Sequence, residues 1–315
     1  MKSPAILACA IMAGSITGAS AQSSPPWSKG ANDPAPQHGY YFHVPDIDNV
    51  PDLHGNPYDA KLVLFIGGNQ FFVLPQLITA FEARHPELAG HIFYETLPPG
   101  ILRKQMEAGN TLTLGNLTIT VQPDVYEAGS RAVQQMVQAG QVKAAVPYAT
   151  NTLEIMVKAG NPKGIHSLSD LARPDVRLSM PNPQWEGVAR QIADSLKKAG
   201  GDTLYTTVYE TKAHTGQTVL TEIHHRQTPM RIMQGNADAG ITWASEVRFQ
   251  ESILNPIAGV PIPENQNTTA VYAGGVVTGA PHAEAAAQWL DFLKSDEAQA
   301  IYHQYGFHSI SGAGE

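Results

Sequence analysis

Short apolar runs alternate with amphipathic stretches along the chain from Lys61 onward. Residues 62–66 form a continuous apolar run of the length of a buried strand, and two glycines close it. In the next stretch, Pro75 suits the first turn of a helix. Apolar residues then recur at the spacing of one helical face, at Leu74, Leu77, Ile78 and Phe81. This succession of strand, turn and helix is typical of α/β proteins.

The same alternation continues to the end of the chain. Further strands are predicted at 91–97, 124–126, 153–157, 177–180, 206–210, 239–243 and 271–278. Helices are predicted at 101–109, 131–139, 187–199, 229–235, 283–293 and 296–305. Because strands and helices alternate, we expect an α/β fold with mainly parallel sheets flanked by helices.

The first 58 residues do not follow this pattern. Residues 1–21 have the features of a signal peptide, with Lys2, a short apolar run and a small-residue cleavage pattern that leaves Gln22 as the first mature residue. Cys9 lies too early in the apolar run for a lipid-attachment site. Residues 22–58 form an arm rich in Pro, Gly, Asn and Asp, which favour turns. This arm is either a flexible leader or partly docked on the main body.

Composition narrows the class of protein. The chain has 315 residues and is 43% hydrophobic, which suits two domains with buried cores. Its net charge of −8, without clusters of Lys or Arg, argues against nucleic-acid binding. Cys9 is the only cysteine, so the exported chain has no thiol or disulfide. No later segment approaches the ~20 apolar residues of a membrane span, so we expect a soluble periplasmic protein.

Several stretches occur in an order that resembles the type II periplasmic solute-binding proteins of ABC importers, especially the molybdate-binding branch. The resemblance extends from about Lys61 to His308. The order of the stretches along the chain is stronger evidence for it than any single motif. The most specific stretches are VKAGNPKGI at 157–165, SLSDL at 167–171, GNADAGI at 235–241 and WLDFL at 289–293.

The resemblance implies a two-lobed protein with two sheets and a hinge of two crossovers, near 144–150 and between 244 and 270. Lobe 1 would comprise 59–147 and 256–315, and lobe 2 would comprise 148–255. The lobes would close on a small ligand, a molybdate-like oxyanion or a small organic acid, and deliver it to the membrane permease of an ABC importer. We expect a monomer with no cofactor and no catalytic activity.

The resemblance and the chemistry of helix N-termini together predict the ligand site. Ligands of open α/β sheets lie beyond the carboxyl ends of strands, where free backbone N–H groups favour anions. Several positions depart from the molybdate branch. The first loop has Asn69 and Gln70 where hydroxyl residues are typical, the second has Thr96 with two prolines, and Trp243 stands where a tyrosine is expected. Glu186 would repel an oxyanion unless it is protonated, paired or turned away. The expected ligand-binding residues are Asn69, Gln70, Thr96, Trp185, Gly187, Val188, His225, Arg226, Thr228, Met230 and Trp243.

An apparent insertion at 212–227 leaves three alternatives open. It is a polar surface loop, a loop that contacts the ligand through His225 or Arg226, or part of a site for a metal ion or metal complex. The residues of the metal alternative would be His214, His224, His225 and Glu186. An exported hydrolase is the alternative of another class, although the sequence has no nucleophile elbow, zinc-protease helix or phosphate-binding glycine loop.

Overall fold

The computed structural model describes residues 52–114, 117–222 and 224–310. The predicted signal peptide and most of the predicted arm lie outside these residues. The described end of the arm, from Asp52, packs on the main body, where Leu53 is buried. Two β-sheets organise the described chain.

The first sheet has six strands and combines parallel with antiparallel pairings. β2 pairs in parallel with β3 and β6, whereas β13 pairs antiparallel with β6 and β7, and β1 pairs antiparallel with β3. Their spatial order is β1 (Leu53–His54), β3 (Ile92–Glu95), β2 (Leu62–Ile66), β6 (Val125–Gly129), β13 (Ala270–Val276) and β7 (Val146–Asn151).

The second sheet has five strands and is also mixed. β9 pairs in parallel with β10 and β11, and β8 pairs antiparallel with β11 and β12. Their spatial order is β10 (Thr218–Leu220), β9 (Leu178–Met180), β11 (Ala239–Trp243), β8 (Leu153–Lys158) and β12 (Ile257–Pro261).

The α/β class is confirmed, and eight of the eleven strands in the two sheets share the direction of their sheet, whereas β1, β8 and β13 run opposite to it. β8 and β13 are each the first strand after the chain has crossed from the other sheet. Such a strand starts at the edge where the parallel strands end, so it runs against them. Helical crossovers set the parallel strands, and direct crossings between the sheets set the directions of β8 and β13.

Helices cover both faces of the first sheet. Leu62, Leu64 and Ile66 pack in one core with α1, α8 and α9, and Val63 and Phe65 pack in another with α2 and α3. The apolar run of β2 is continuous because both of its faces are buried. These helices are α1 (Leu74–Arg84), α2 (Pro99–Glu107), α3 (Ser130–Gln138), α8 (Ala283–Leu293) and α9 (Asp296–Gln304).

The second sheet has its own cores. Ile155 and Val157 pack with the apolar face of α4, and Met156 packs with Ile232 and Val247 on the other side. The helices around this sheet are α4 (Val188–Thr206), α5 (Lys212–His214), α6 (Gln227–Met233) and α7 (Ala244–Ser252). A separate hairpin, β4 (Thr111–Leu114) with β5 (Leu117–Thr120), lies beside α2. No helix in the described ranges has the length and apolar character needed to cross a bilayer.

The strand expected at 206–210 is wrong, because this segment is helical. α4 runs to Thr206 across a kink at Gly200 and Gly201, and a π-helical turn follows at Thr207–Thr211. Leu204 and Val208 are four residues apart and both pack in the second-sheet core. Helical spacing therefore buries this face, and the tertiary contact overrides the β-branched composition of the segment.

The chain passes from the first sheet to the second between Asn151 and Leu153, and it returns between Pro261 and Ala270. The first passage lies slightly beyond the expected 144–150, and the second lies within the expected 244–270. Asn267 joins the two segments, since its side chain accepts from the Leu153 N–H at 3.0 Å and donates to the Leu153 carbonyl at 2.8 Å. The exact lobe boundaries stay predictions.

Candidate functional site

A cavity of about 210 Å³ lies between the two sheets. The loops that line it follow the carboxyl ends of β2, β3 and β6 in the first sheet and of β9, β10 and β11 in the second. The return segment from Thr269 to Tyr272 closes one wall. Both sheets therefore present to one space the edge at which α/β proteins bind ligands.

Two helices begin at the cavity, one from each sheet. α3 begins after Gly129 and α4 begins after Gly187, and neither N-cap residue makes a side-chain capping bond. The first N–H groups of α3 donate to no described residue, whereas in α4 those of Ala189 and Arg190 donate to the carbonyls of Glu186 and Gly187. Both helix dipoles favour negative charge at the cavity. α2 also begins here, but Pro98 and Pro99 have no N–H to donate.

Arg131 and Arg190 line the cavity, and sequence reasoning missed both. They stand in the first turns of α3 and α4, and their exposed side chains make no hydrogen bond or ion pair with any described residue. A cation in the first turn of a helix opposes the helix dipole. A basic residue just after each predicted strand-to-helix loop was therefore the signal available in the sequence.

Glu186 and His225 form a buried ionic cluster with Glu246. The His225 ring lies between the two carboxylates, with Nδ1 2.5 Å from Glu186 Oε2 and Nε2 2.6 Å from Glu246 Oε1. Glu186 Oε2 also accepts from the His225 backbone N–H at 2.6 Å, and Glu186 Oε1 accepts from the Asn182 N–H at 2.9 Å. The hydroxyl of Thr221 donates to Glu186 as well. Glu186 is therefore paired, so the repulsion of an anion is reduced.

The pKa values of His225 and Glu186 show that both side chains are charged at neutral pH. Burial by itself lowers the pKa of His225, but Glu246 and Glu186 outweigh burial and raise it to about 10. Burial by itself raises the pKa of Glu186, but the hydrogen bond and charge of His225 hold it below its usual value. His225 is thus an imidazolium ion, and Glu186 is a carboxylate.

A second cluster joins the two sheets beside the cavity. Asp52, at the start of the first sheet, accepts from His224 Nε2 at 3.0 Å and from Arg226, both of the second-sheet side. Burial opposes ionisation of Asp52, but His224 and Arg226 lower its pKa to about 2. The Arg226 guanidinium also lies 4.8 Å from the centre of the Phe71 ring. This cluster holds the sheets together in the arrangement observed.

Five of the residues expected to bind ligand line the cavity: Asn69, Gly187, Val188, His225 and Trp243. The side chain of Asn69 donates to the Tyr272 hydroxyl at 2.5 Å, and the ring of Trp243 lies 5.8 Å from that of Tyr272. Tyr272 itself lines the cavity and was not anticipated. Their roles toward a ligand stay predictions.

The other six expected residues do not line the cavity: Gln70, Thr96, Trp185, Arg226, Thr228 and Met230. Gln70 is fully buried and bonds to the hydroxyls of Tyr148 at 2.7 Å and Tyr302 at 2.9 Å. Thr228 pairs with Ser179 at 3.2 Å, and Thr96 bonds to Asp52 at 3.4 Å. Most of these polar side chains face internal partners, which local sequence does not reveal.

The metal alternative gains no support. Among the residues that the structure describes, no group of three or more His, Cys, Asp or Glu side chains is placed to hold a metal ion. His214 is exposed on α5, and both ring nitrogens of His225 face carboxylates. His224 lines the cavity, and its buried Nδ1 has no hydrogen-bond partner in the described part of the chain.

Comparison with known proteins gives a consistent result. The sequence profile described as bacterial extracellular solute-binding protein matches residues 62–308. The molybdate-binding protein ModA of Mycobacterium tuberculosis H37Rv is 27% identical over 213 residues, which are 66% of this chain and 74% of that protein.

Solved structures share the fold. The sulfate-binding protein SubI of Mycobacterium tuberculosis H37Rv superposes with a TM-score of 0.66 at 20% identity, covering 80% of this chain and 87% of SubI. The periplasmic molybdate-binding protein of Azotobacter vinelandii superposes with a TM-score of 0.60 at 16% identity, covering 78% of this chain and 98% of that one.

Proposed function

Because the chain belongs to the bacterial extracellular solute-binding proteins, we propose that it captures a small anion in the cavity between its two sheets and delivers it to an ABC importer. The ligand is a molybdate-like oxyanion or a small organic acid. The protein acts as a monomer in the periplasm, and its partner is the membrane permease.

One observation carries this proposal: a single cavity takes its lining from both sheets and lies at the N-termini of α3 and α4. The free N–H groups at the start of α3 can replace part of the water shell of an anion, and the start of α4 adds the partial positive charge of its helix dipole. Arg131 and Arg190 add positive charge from opposite sides. Relatives named for molybdate and sulfate binding support an anionic ligand.

Capture follows from the connections between the sheets. Two adjacent segments, at Thr152 and between Pro261 and Ala270, join them along one side of the cavity. Rotation about these segments would separate the two linings, and only the closed arrangement brings both to the ligand. Binding therefore shifts the equilibrium toward closure.

A thermal-shift screen tests the proposal. The melting temperature of the purified protein is measured with molybdate, sulfate, phosphate, organic acids, and zinc or copper with and without chelator. An anion at 100 times its Kd should add about 2.7 kcal/mol of stability. Stabilisation by zinc or copper alone would favour the metal alternative, and turnover of phosphate or ester substrates would favour the hydrolase. Either result would contradict the proposal.

A further inference from the structure

The two arginines at the cavity have no structural task that the described contacts reveal. Arg131 and Arg190 lack ion-pair partners in the described ranges, whereas Arg84, Arg103, Arg173 and Arg177 are each paired with a carboxylate. Each of the two stands in the first turn of a helix, against the helix dipole. Arg248 is also exposed and has no ion-pair partner in the described ranges, but only Arg131 and Arg190 line the cavity, where their side chains are free to meet a negatively charged group.

The positive groups around the cavity come from both sheets. His225 is bonded to the carboxylates of Glu186 and Glu246, and the two guanidinium groups bring the number of positive charges to three against two negative charges. The N-termini of α3 and α4 add partial positive charge from opposite sheets. The positive groups are therefore divided between two sides of the space.

The remaining lining is apolar. Pro98, Pro99, Val188, Trp243, Ala270 and Val271 occupy much of the wall between the polar groups. The volume of about 210 Å³ exceeds the roughly 150 Å³ of an engineered cavity that holds benzene. A bare tetrahedral oxyanion offers no apolar surface to such a wall, whereas a short carbon skeleton does.

We propose that the ligand is a compact organic acid with two anionic groups joined by a short carbon skeleton, one group held by Arg131 and α3 and the other by Arg190 and α4. This inference rests on the proposed function, because it names the ligand class of the same site. Carboxylate, phosphate and sulfonate groups all match the bidentate geometry of a guanidinium.

Calorimetric titration of matched acids tests the ligand class. Phosphoglycolate and succinate carry two anionic groups, and glycolate and butyrate are their counterparts with one. We expect one of the two-group acids to bind at least about a hundredfold more tightly than its counterpart, because the second charge gains an arginine and a helix N-terminus. Molybdate, sulfate and inorganic phosphate are titrated alongside.

Arginine variants test the placement of the two groups. Arg131→Ala and Arg190→Ala should each weaken binding of the two-group acid by about tenfold or more. Arg103→Ala removes the same charge outside the cavity and should leave affinity unchanged. A one-group analogue such as methyl phosphate should lose affinity in only one of the two cavity variants.

The outcomes separate the two proposals. Tight binding of molybdate or sulfate together with indifference to both acids would overturn the two-group inference and leave anion capture standing. Binding of a two-group acid that neither cavity variant weakens would also overturn the inference. Failure of every anion, with a folded protein shown by a cooperative melt, would overturn the proposed function itself.

Discussion

The two faces of the cavity are built from different materials. The face of the first sheet is largely backbone and small or cyclic residues, with Gly67, Gly68, Pro98, Pro99 and Gly129 at the strand ends. The face of the second sheet is built from ionised side chains, with Glu186 and His225 in a network that continues to Glu246. Close packing holds the backbone of the first face in position, and ion pairs hold the side chains of the second face in position.

Gly68 shows how tightly the first face is packed. A Cβ atom there would lie 2.5 Å from the Thr96 carbonyl oxygen and 3.0 Å from the His224 ring. The backbone can approach both neighbours only without a side chain. The second face has no comparable close approach at Gly187, where a Cβ would meet nothing within 4 Å. Substitutions should therefore disturb the two faces by different mechanisms.

The largest effect is expected for His225→Ala, which removes the charge at the centre of the second face. Glu186 and Glu246 would stay buried without their shared cation, which costs about 3–5 kcal/mol when one partner of a buried pair is lost. Urea denaturation measures the free energy of unfolding. His214→Ala, an exposed histidine of the same segment, is the control and should change stability by less than about 0.5 kcal/mol. Equal effects of the two variants would show that the cluster does not stabilise the second face.

The pH dependence of stability should separate the second face from the cluster that joins the sheets. His225 has a folded pKa of about 10 against 6.5, so its contribution is complete below pH 6.5 and is lost as pH rises through 10. Asp52 has a folded pKa of about 2 against 3.8, so its contribution is present above pH 3.8 and is lost as pH falls toward 2.

Asp52→Asn should therefore flatten the acid limb by about 2 kcal/mol, since each pKa unit corresponds to about 1.36 kcal/mol. His225→Gln should flatten the alkaline limb and leave the acid contribution of Asp52 in place. The check is the free energy of unfolding in urea at a series of pH values, measured with the stabilising anion present, because the contacts of Asp52 join the two sheets in the closed arrangement. Acid limbs that run parallel in wild type and Asp52→Asn would contradict the role given to Asp52.

Gly100→Ala should affect binding more than folding. A Cβ at Gly100 would lie 2.9 Å from the backbone of Trp185, which belongs to the opposite side of the cavity. Overpacking at this contact should cost about 1–3 kcal/mol in the closed arrangement, or roughly a tenfold to hundredfold loss of affinity.

The free protein should melt at an unchanged or slightly higher temperature, because alanine favours the helix α2. Lys104→Ala, on the exposed face of the same helix, is the control for affinity. A Gly100→Ala protein that binds as tightly as wild type would mean that the two faces do not approach each other in the bound state.

Much of the fold could be predicted from local sequence. The bounds expected for the strand 239–243 and the helix 283–293 agree with β11 and α8, because apolar periodicity fixes both. The strand predicted at 206–210 is wrong, because the packing of Leu204 and Val208 in the core favours a helix. The opposite directions of β8 and β13 were not predicted, because they depend on how the chain moves between the sheets, which no local pattern records.

The site was predictable in outline only. The family resemblance placed Asn69, Val188 and Trp243 at strand ends that line the cavity, and His225 came from one of the alternatives for the apparent insertion. The pairing of Asp52 with Arg226 joins residues 174 positions apart, so it could not be derived from spacing. Arg131 and Arg190 were missed because periodicity does not distinguish an arginine at a cavity from one on an open surface.

Small-angle X-ray scattering tests capture between the two faces most directly. The radius of gyration is measured for the purified protein alone and with a saturating concentration of the anion that gives the largest thermal shift. Capture by rotation about the two connecting segments predicts a smaller radius of gyration in the bound state. An unchanged radius at a concentration where calorimetry shows full occupancy would contradict it.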